Sequence, residues 1–167
     1  MRIALWVLGT VAALVTCILI AGWTLPVKHH VSRDAHFDVP VESVFALISS
    51  PAEFPRWRSG LSRVDVLPDS AGQPRFRETS KSGTILYAVE RSVPNSQWVT
   101  RIADESLPFG GTWTYEVLPR GTGTTLRITE DGEVYNPLFR FVSRYVMGET
   151  STIDQYLSDA QKRFAVR

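Results

Sequence analysis

Apolar and polar positions fall into three regimes along the chain. From Ile3 to Val27 no charged side chain interrupts an apolar run. As a helix this run reaches roughly 37 Å at 1.5 Å per residue, enough to cross a hydrocarbon core of about 30 Å with some tilt. Short segments of period two follow at Val31–Val39, Leu61–Leu67, Arg75–Ser80, Thr84–Val93 and Trp98–Asp104. They are punctuated by turn-forming clusters such as Asp69-Ser70-Ala71-Gly72, Lys81-Ser82-Gly83 and Pro94-Asn95-Ser96, so they predict strands. The alternation is sharpest where Trp113, Tyr115 and Val117 interleave with Thr112, Thr114 and Glu116. After the turn Pro119–Gly123 it resumes with Leu126, Ile128 and Glu130 on one parity, which predicts an antiparallel hairpin with an aromatic-aliphatic face carrying one carboxylate.

Helical periodicity appears in three places. Val41, Val44, Phe45 and Ile48 share one face of a short helix, Val41–Ile48. Ser50-Pro51 opens a second short helix holding Phe54 and Trp57, interrupted by Pro55. Asn136-Pro137 supplies a cap and a first helical proline for a long helix from Leu138 to Phe164, with a weak point at Gly148. One strand, two short helices, a run of strands and a long last helix is an α+β order, not a parallel α/β one. The reading is therefore two parts: residues 1–27 as a transmembrane anchor and 28–167 as one domain, a curved antiparallel sheet wrapped around the C-terminal helix. A twisted sheet curls around whatever packs on its concave side, and that is the physical recipe for a pocket.

Composition narrows the function. With 44% hydrophobic residues in 167, the chain can build one sizeable core. Setting Arg2 aside, 17 basic side chains balance 17 acidic ones from Lys28 onward, which removes the electrostatic reason to bind nucleic acid. Cys17 is the one cysteine, so no internal disulfide and no thiolate metal cluster is available. The three histidines all precede Val39, and no nucleophile elbow, metal-binding helix or phosphate-cradling glycine loop is present; no cofactor or metal is called for.

The rivals to an anchor are a cleaved signal peptide and a lipoprotein signal ending at Cys17. The run is longer than a signal's apolar region, Trp6 and Trp23 sit near its ends, and Leu14-Val15-Thr16-Cys17 matches a lipobox only loosely, so a single-pass membrane protein is expected. The positive-inside count, Arg2 against Lys28 and Arg33, leans toward a cytoplasmic domain. His29 and His30 read as solvated linker residues.

The stretches Val39-Pro40-Val41-Glu42-Ser43-Val44-Phe45 and Ser50-Pro51-Ala52-Glu53-Phe54-Pro55-Arg56-Trp57, with Phe76 and Glu78 before a glycine turn, resemble the helix-grip fold of the START-like SRPBCC superfamily. This superfamily includes polyketide cyclases and lipid-transfer domains. The resemblance runs from about Val31 to Phe164 and implies a cavity for a hydrophobic small molecule or lipid between sheet and long helix. Its motifs identify a fold more than a function.

Trp57, Phe76, Tyr87, Trp113, Tyr115, Tyr135 and Phe139 are the candidate ligand-binding residues, with Trp98 beside them. Core packing is the rival reading of the same rings. Glu78 and Glu130 are the candidate catalytic carboxylates, which desolvation would tune for proton transfer, unless arginines such as Arg77, Arg91 or Arg127 pair with them. Leu107-Pro108-Phe109-Gly110-Gly111 reads as a bulge at a strand start. Arg140 and Arg144, one turn apart, read as a lipid head-group contact or a solvated face. The expected function is a membrane-anchored binder of a hydrophobic small molecule or lipid without covalent chemistry. A cyclase- or dehydratase-like enzyme and a ligand-free interaction module remain the alternatives.

Overall fold

The computed structural model describes residues 2–148 and 150–165. Glu149, Val166 and Arg167, which belong to the expected second domain, lie outside the described residues, as does Met1. The apolar run forms α1 (Arg2–Thr24), and its stretch Ile3–Thr24 is long and apolar enough to span a membrane. Seven strands follow: β1 (Lys28–Phe37), β2 (Leu61–Ser70), β3 (Gln73–Ser80), β4 (Gly83–Val93), β5 (Gln97–Ile102), β6 (Phe109–Arg120) and β7 (Gly123–Val134). All pair antiparallel in the order β1-β7-β6-β5-β4-β3-β2, so β1, fed directly from α1, is an edge strand against the last strand of the meander. The two short helices after β1 are α2 (Val41–Ile48) and a 3-10 turn, Pro51–Arg56.

Besides small shifts at strand ends, two elements differ from the sequence reading. β1 starts at Lys28, so His29 and His30 are ladder residues opposite Gly132 and Asp131 and not a solvated linker. The long last helix is in two pieces. Asn136 Oδ1 accepts from the Leu138 and Phe139 N–H groups and starts α3 (Pro137–Val142), which runs into a π-helical turn, Ser143–Met147. Gly148 then takes φ 82°, a left-handed value that no helix continues through, and α4 (Ser151–Ala165) starts afresh. The Gly110-Gly111 pair makes no bulge against β7, since the β6–β7 register is unbroken from Phe109↔Val134 to Arg120↔Gly123.

Helix α4 closes the sheet. Ile153, Tyr156, Leu157 and Ala160 recur at helical spacing and are buried against Phe37, Tyr115, Val117, Leu126 and Ile128 of the concave face, with Val44, Ile48 and Phe54 sealing the side. A carboxylate fixes its placement: buried Asp159 accepts from Ser59 N (2.8 Å), Ser59 Oγ (2.8 Å) and Gln155 Nε2 (2.9 Å). Burial works to raise the Asp159 pKa, but the Ser59 donors, Gln155 and Lys162 outweigh it and hold the group below the usual carboxylate range. A depressed folded value means the stabilisation is present above the unfolded value and is lost as pH falls through the folded one. Asp159→Ala is therefore expected to lower urea stability by about 1.5–3 kcal/mol at pH 7. The difference from the parent chain should shrink as pH drops below about 4.

Candidate functional site

Strand parity and register assemble the site. Across the sheet, Trp98 is opposite Tyr115, Tyr115 opposite Ile128, Trp113 opposite Glu130 and Phe76 opposite Tyr87, all on the face that α4 covers. Phe76 stacks between Trp98 (5.9 Å between centroids) and Tyr87 (5.2 Å). Phe54, delivered by the 3-10 turn, sets its edge against Trp57, Phe76 and Trp98. From α4, Tyr156 meets Trp57 at 5.0 Å, Tyr115 at 5.5 Å and Trp113 at 6.0 Å. Offset and edge-to-face contacts at these spacings are favourable ring packing, and they fill the centre between sheet and helix.

Within this aromatic shell lies an ion pair. Glu78, on the parity of Phe76, is bound by the Arg58 guanidinium, with side-chain exposures of 7% and 17%. That guanidinium also lies over the rings of Tyr156 (4.9 Å) and Phe54 (5.2 Å). Burial pushes the Glu78 carboxyl above its ordinary value, and the pull of Arg58 recovers only part of this. Arg58 remains cationic: burial opposes its charge, yet Glu78 outweighs it and holds the proton on. Burial likewise raises the phenols of Tyr87, Tyr115 and Tyr156, so all three are neutral donors at physiological pH. Trp57 Nε1 is buried with no hydrogen-bond partner among the described residues, which leaves one donor in the shell unused.

One end of the concave face is less covered. The first turn of α4 reaches β1 at Arg33, whose Nε is 3.4 Å from Asp154 Oδ1, and its last turn packs Phe164 on Phe37 at 5.5 Å. Toward the start of β1, Tyr87, Ile102, Trp113 and Glu130 are half-buried. Glu130 Oε1 is 3.2 Å from His29 Nε2. The imidazole crosses the strand over Gly132, whose missing Cβ would stand 2.2 Å from His29 Cε1. One position along, His30 Nδ1 contacts Asp131 Oδ1 at 2.6 Å on exposed side chains. Among the described residues no three His, Cys, Asp or Glu side chains converge in metal-binding distance.

The structure thus brings together Trp57, Phe76, Tyr87, Trp113, Tyr115, Glu78 and Glu130. It does not bring in Tyr135 and Phe139, which are half-exposed beside α1 because α3 turns away from the sheet at Asn136-Pro137. The Tyr135 hydroxyl instead donates to Glu133 Oε2 (2.9 Å), in the space left by the missing Cβ of Gly110. The carboxylates are paired with Arg58 and His29, not with Arg77, Arg91 or Arg127. Arg58 was missed because it sits in irregular chain, where no period assigns a face. A second concavity, of about 370 Å3, is a surface groove between α2, the 3-10 turn and the end of α4, lined by Leu47, Glu53, Arg56, Trp57 and Phe164 among others.

The family model for polyketide cyclase / dehydrase and lipid transport matches residues 28–155, most of the chain and all seven strands. The chain belongs to this family. No curated protein matches the sequence. Among solved structures, it is similar to a START superfamily protein from Mycobacterium smegmatis (19% identity, TM-score 0.67, covering 82% of this chain and 97% of that one). It is also similar to a protein from Thermus thermophilus (16%, 0.66, 82% and 97%) and to norcoclaurine synthase from Thalictrum flavum (10%, 0.65, 89% and 92%). At these identities the likeness concerns the fold, which is the helix-grip arrangement of START-like proteins. The family is one of hydrophobic-ligand-binding folds.

Proposed function

We propose that this protein is a membrane-anchored binder of a hydrophobic small molecule or lipid, which it holds without covalent chemistry. The observation that carries the reading is the half-buried aromatic end of the concave face, where Trp113 and Tyr87 lie in the rows nearest the strand end fed by α1. With α1 across a bilayer, this end of the domain is the one closest to lipid. Rings already occupy the centre, so the ligand's apolar body rests on Trp113, Tyr87 and Ile102, and Trp57, Phe76 and Tyr115 form its backing. Arg58 and Trp57 Nε1 offer donors to a polar head that enters further. Glu78 and Glu130, each engaged with a cationic or imidazole partner, support a resting role over proton transfer.

The test is native mass spectrometry of the full chain released from lipid nanodiscs after exposure to a total lipid extract. A retained apolar molecule is expected. Trp113→Ala should weaken retention by at least about tenfold, since deleting a ring that covers ligand forfeits roughly 1.5 kcal/mol or more. Absence of any bound molecule across extracts would overturn the proposal. Turnover of a retained polyketide-like compound that Glu78→Gln or Glu130→Gln abolishes would replace it with the enzymatic reading.

A further inference from the structure

Large apolar side chains outside α1 and its exit at Val27 are exposed singly on the sheet, at Val66, Val93 and Leu118. Between Tyr135 and Met147 they are exposed together: Leu138 and Phe139 on α3, then Tyr145 (62%), Val146 (72%) and Met147 (64%) on the π-helical turn. A concentration of this kind on one segment marks a contact surface. Its position says what it contacts. Helix α3 packs on the last turns of α1, where a Cβ on Gly22 would stand 2.0 Å from Pro137 O. Arg140 clamps the same joint by donating to Leu25 O (2.8 Å) and Tyr135 O (3.3 Å), and the void left there is only about 20 Å3.

Depth then follows from arithmetic. The apolar stretch Ile3–Thr24 has 22 residues, and a hydrocarbon core of about 30 Å takes up about 20 of them, so Gly22 stands at the boundary with the head groups. Pro137, where the segment begins, meets Gly22 at that level, and Arg140 reaches Leu25 just beyond it. Lys28, Arg140 and Arg144 line the same joint, at the level where basic side chains meet lipid phosphates.

We infer that Leu138–Met147 is a second membrane contact, an amphipathic wedge lying in the head-group boundary of the leaflet from which α1 emerges. This inference rests on reading α1 as membrane-spanning. It gives the C-terminal helix two halves with different solvents: the wedge belongs to lipid, α4 belongs to the protein core, and Gly148 divides them.

The experiment places nitroxide labels on the full chain in nanodiscs of mixed phosphatidylcholine and phosphatidylglycerol, in a Cys17→Ser background. Val146→Cys reports the wedge, Leu14→Cys reports α1, and Leu118→Cys reports the outer sheet; all three positions are exposed, so the substitutions leave the core alone. Relaxation by oxygen should exceed relaxation by a water-soluble nickel chelate at positions 14 and 146, with the reverse at 118, and position 146 should lie about 5–10 Å inside the head-group boundary. A label at 146 that behaves like the one at 118 while 14 stays in hydrocarbon overturns the wedge and leaves the anchor standing. Aqueous behaviour at both 14 and 146 overturns the wedge and the anchor together.

Discussion

Replacing Glu78 with leucine is expected to destabilise the fold by about 3–5 kcal/mol, and replacing Arg58 with methionine in the same chain is expected to return most of that loss. The reason is the environment of the pair. Arg58 and Glu78 lie inside a shell of Phe54, Trp57, Phe76, Tyr115 and Tyr156, and both charges are largely shielded from water. Removing the carboxylate leaves a guanidinium that cannot shed its proton, held over two rings by cation–π attraction of about 2 kcal/mol, less than the cost of its lost partner. Removing both leaves a hole of apolar shape that methionine and leucine fill. Urea midpoints of the single and double variants close the cycle, and a double variant no more stable than Glu78→Leu would show that Arg58 contributes through its other contacts.

Gly111→Ala carries the second large effect. Gly111 has φ 126°, and a Cβ there would stand 2.3 Å from the main-chain oxygen of Asp131 on β7. Gly83 has a similar φ of 131° with nothing within 4 Å of the same position. Gly83→Ala therefore isolates the backbone strain, about 1–3 kcal/mol. Gly111→Ala adds a collision with backbone that cannot rotate away, a further 1–3 kcal/mol or so, and forces β6 from β7 beside Trp113. The two thermal midpoints, compared directly, separate strain from collision. Equal losses would mean that β7 shifts freely, contrary to the unbroken register of that pair.

How much of this was legible beforehand depends on how local its cause is. The inward parity of Trp113, Tyr115 and Phe76 was readable because alternation along one strand is enough to assign a face, and the register then carried those rings to one place. The cap of α3 was readable because Asn136-Pro137 acts within one turn, whereas the Ser50 side chain caps nothing. Arg58 was hidden because it follows a 3-10 turn that ends at Arg56, and chain of that kind has no period. His29 was hidden because Lys28-His29-His30 is polar throughout, so nothing in it distinguishes a strand from a linker; its place comes from Glu130 and from a gap at Gly132, both about a hundred residues away. The glycine at 148 announced a weak helix, but not that the half before it would leave the sheet. That outcome needs Gly22 and Pro137 to meet, a contact between the two ends of the chain.

Helix α1 enters the domain through the end of β1, which is laddered to β7 along ten residue pairs from Lys28↔Glu133 to Phe37↔Thr124. Interstrand hydrogen bonds run across the strands, so a tug arriving from α1 along the strand loads many of them in shear at once, whereas a pull across the ladder would peel them one by one. On the proposed reading of α1 as an anchor, a domain hung this way resists being torn open by its own leash: lateral drag or membrane undulation would sooner drag the whole body along than unravel its first strand.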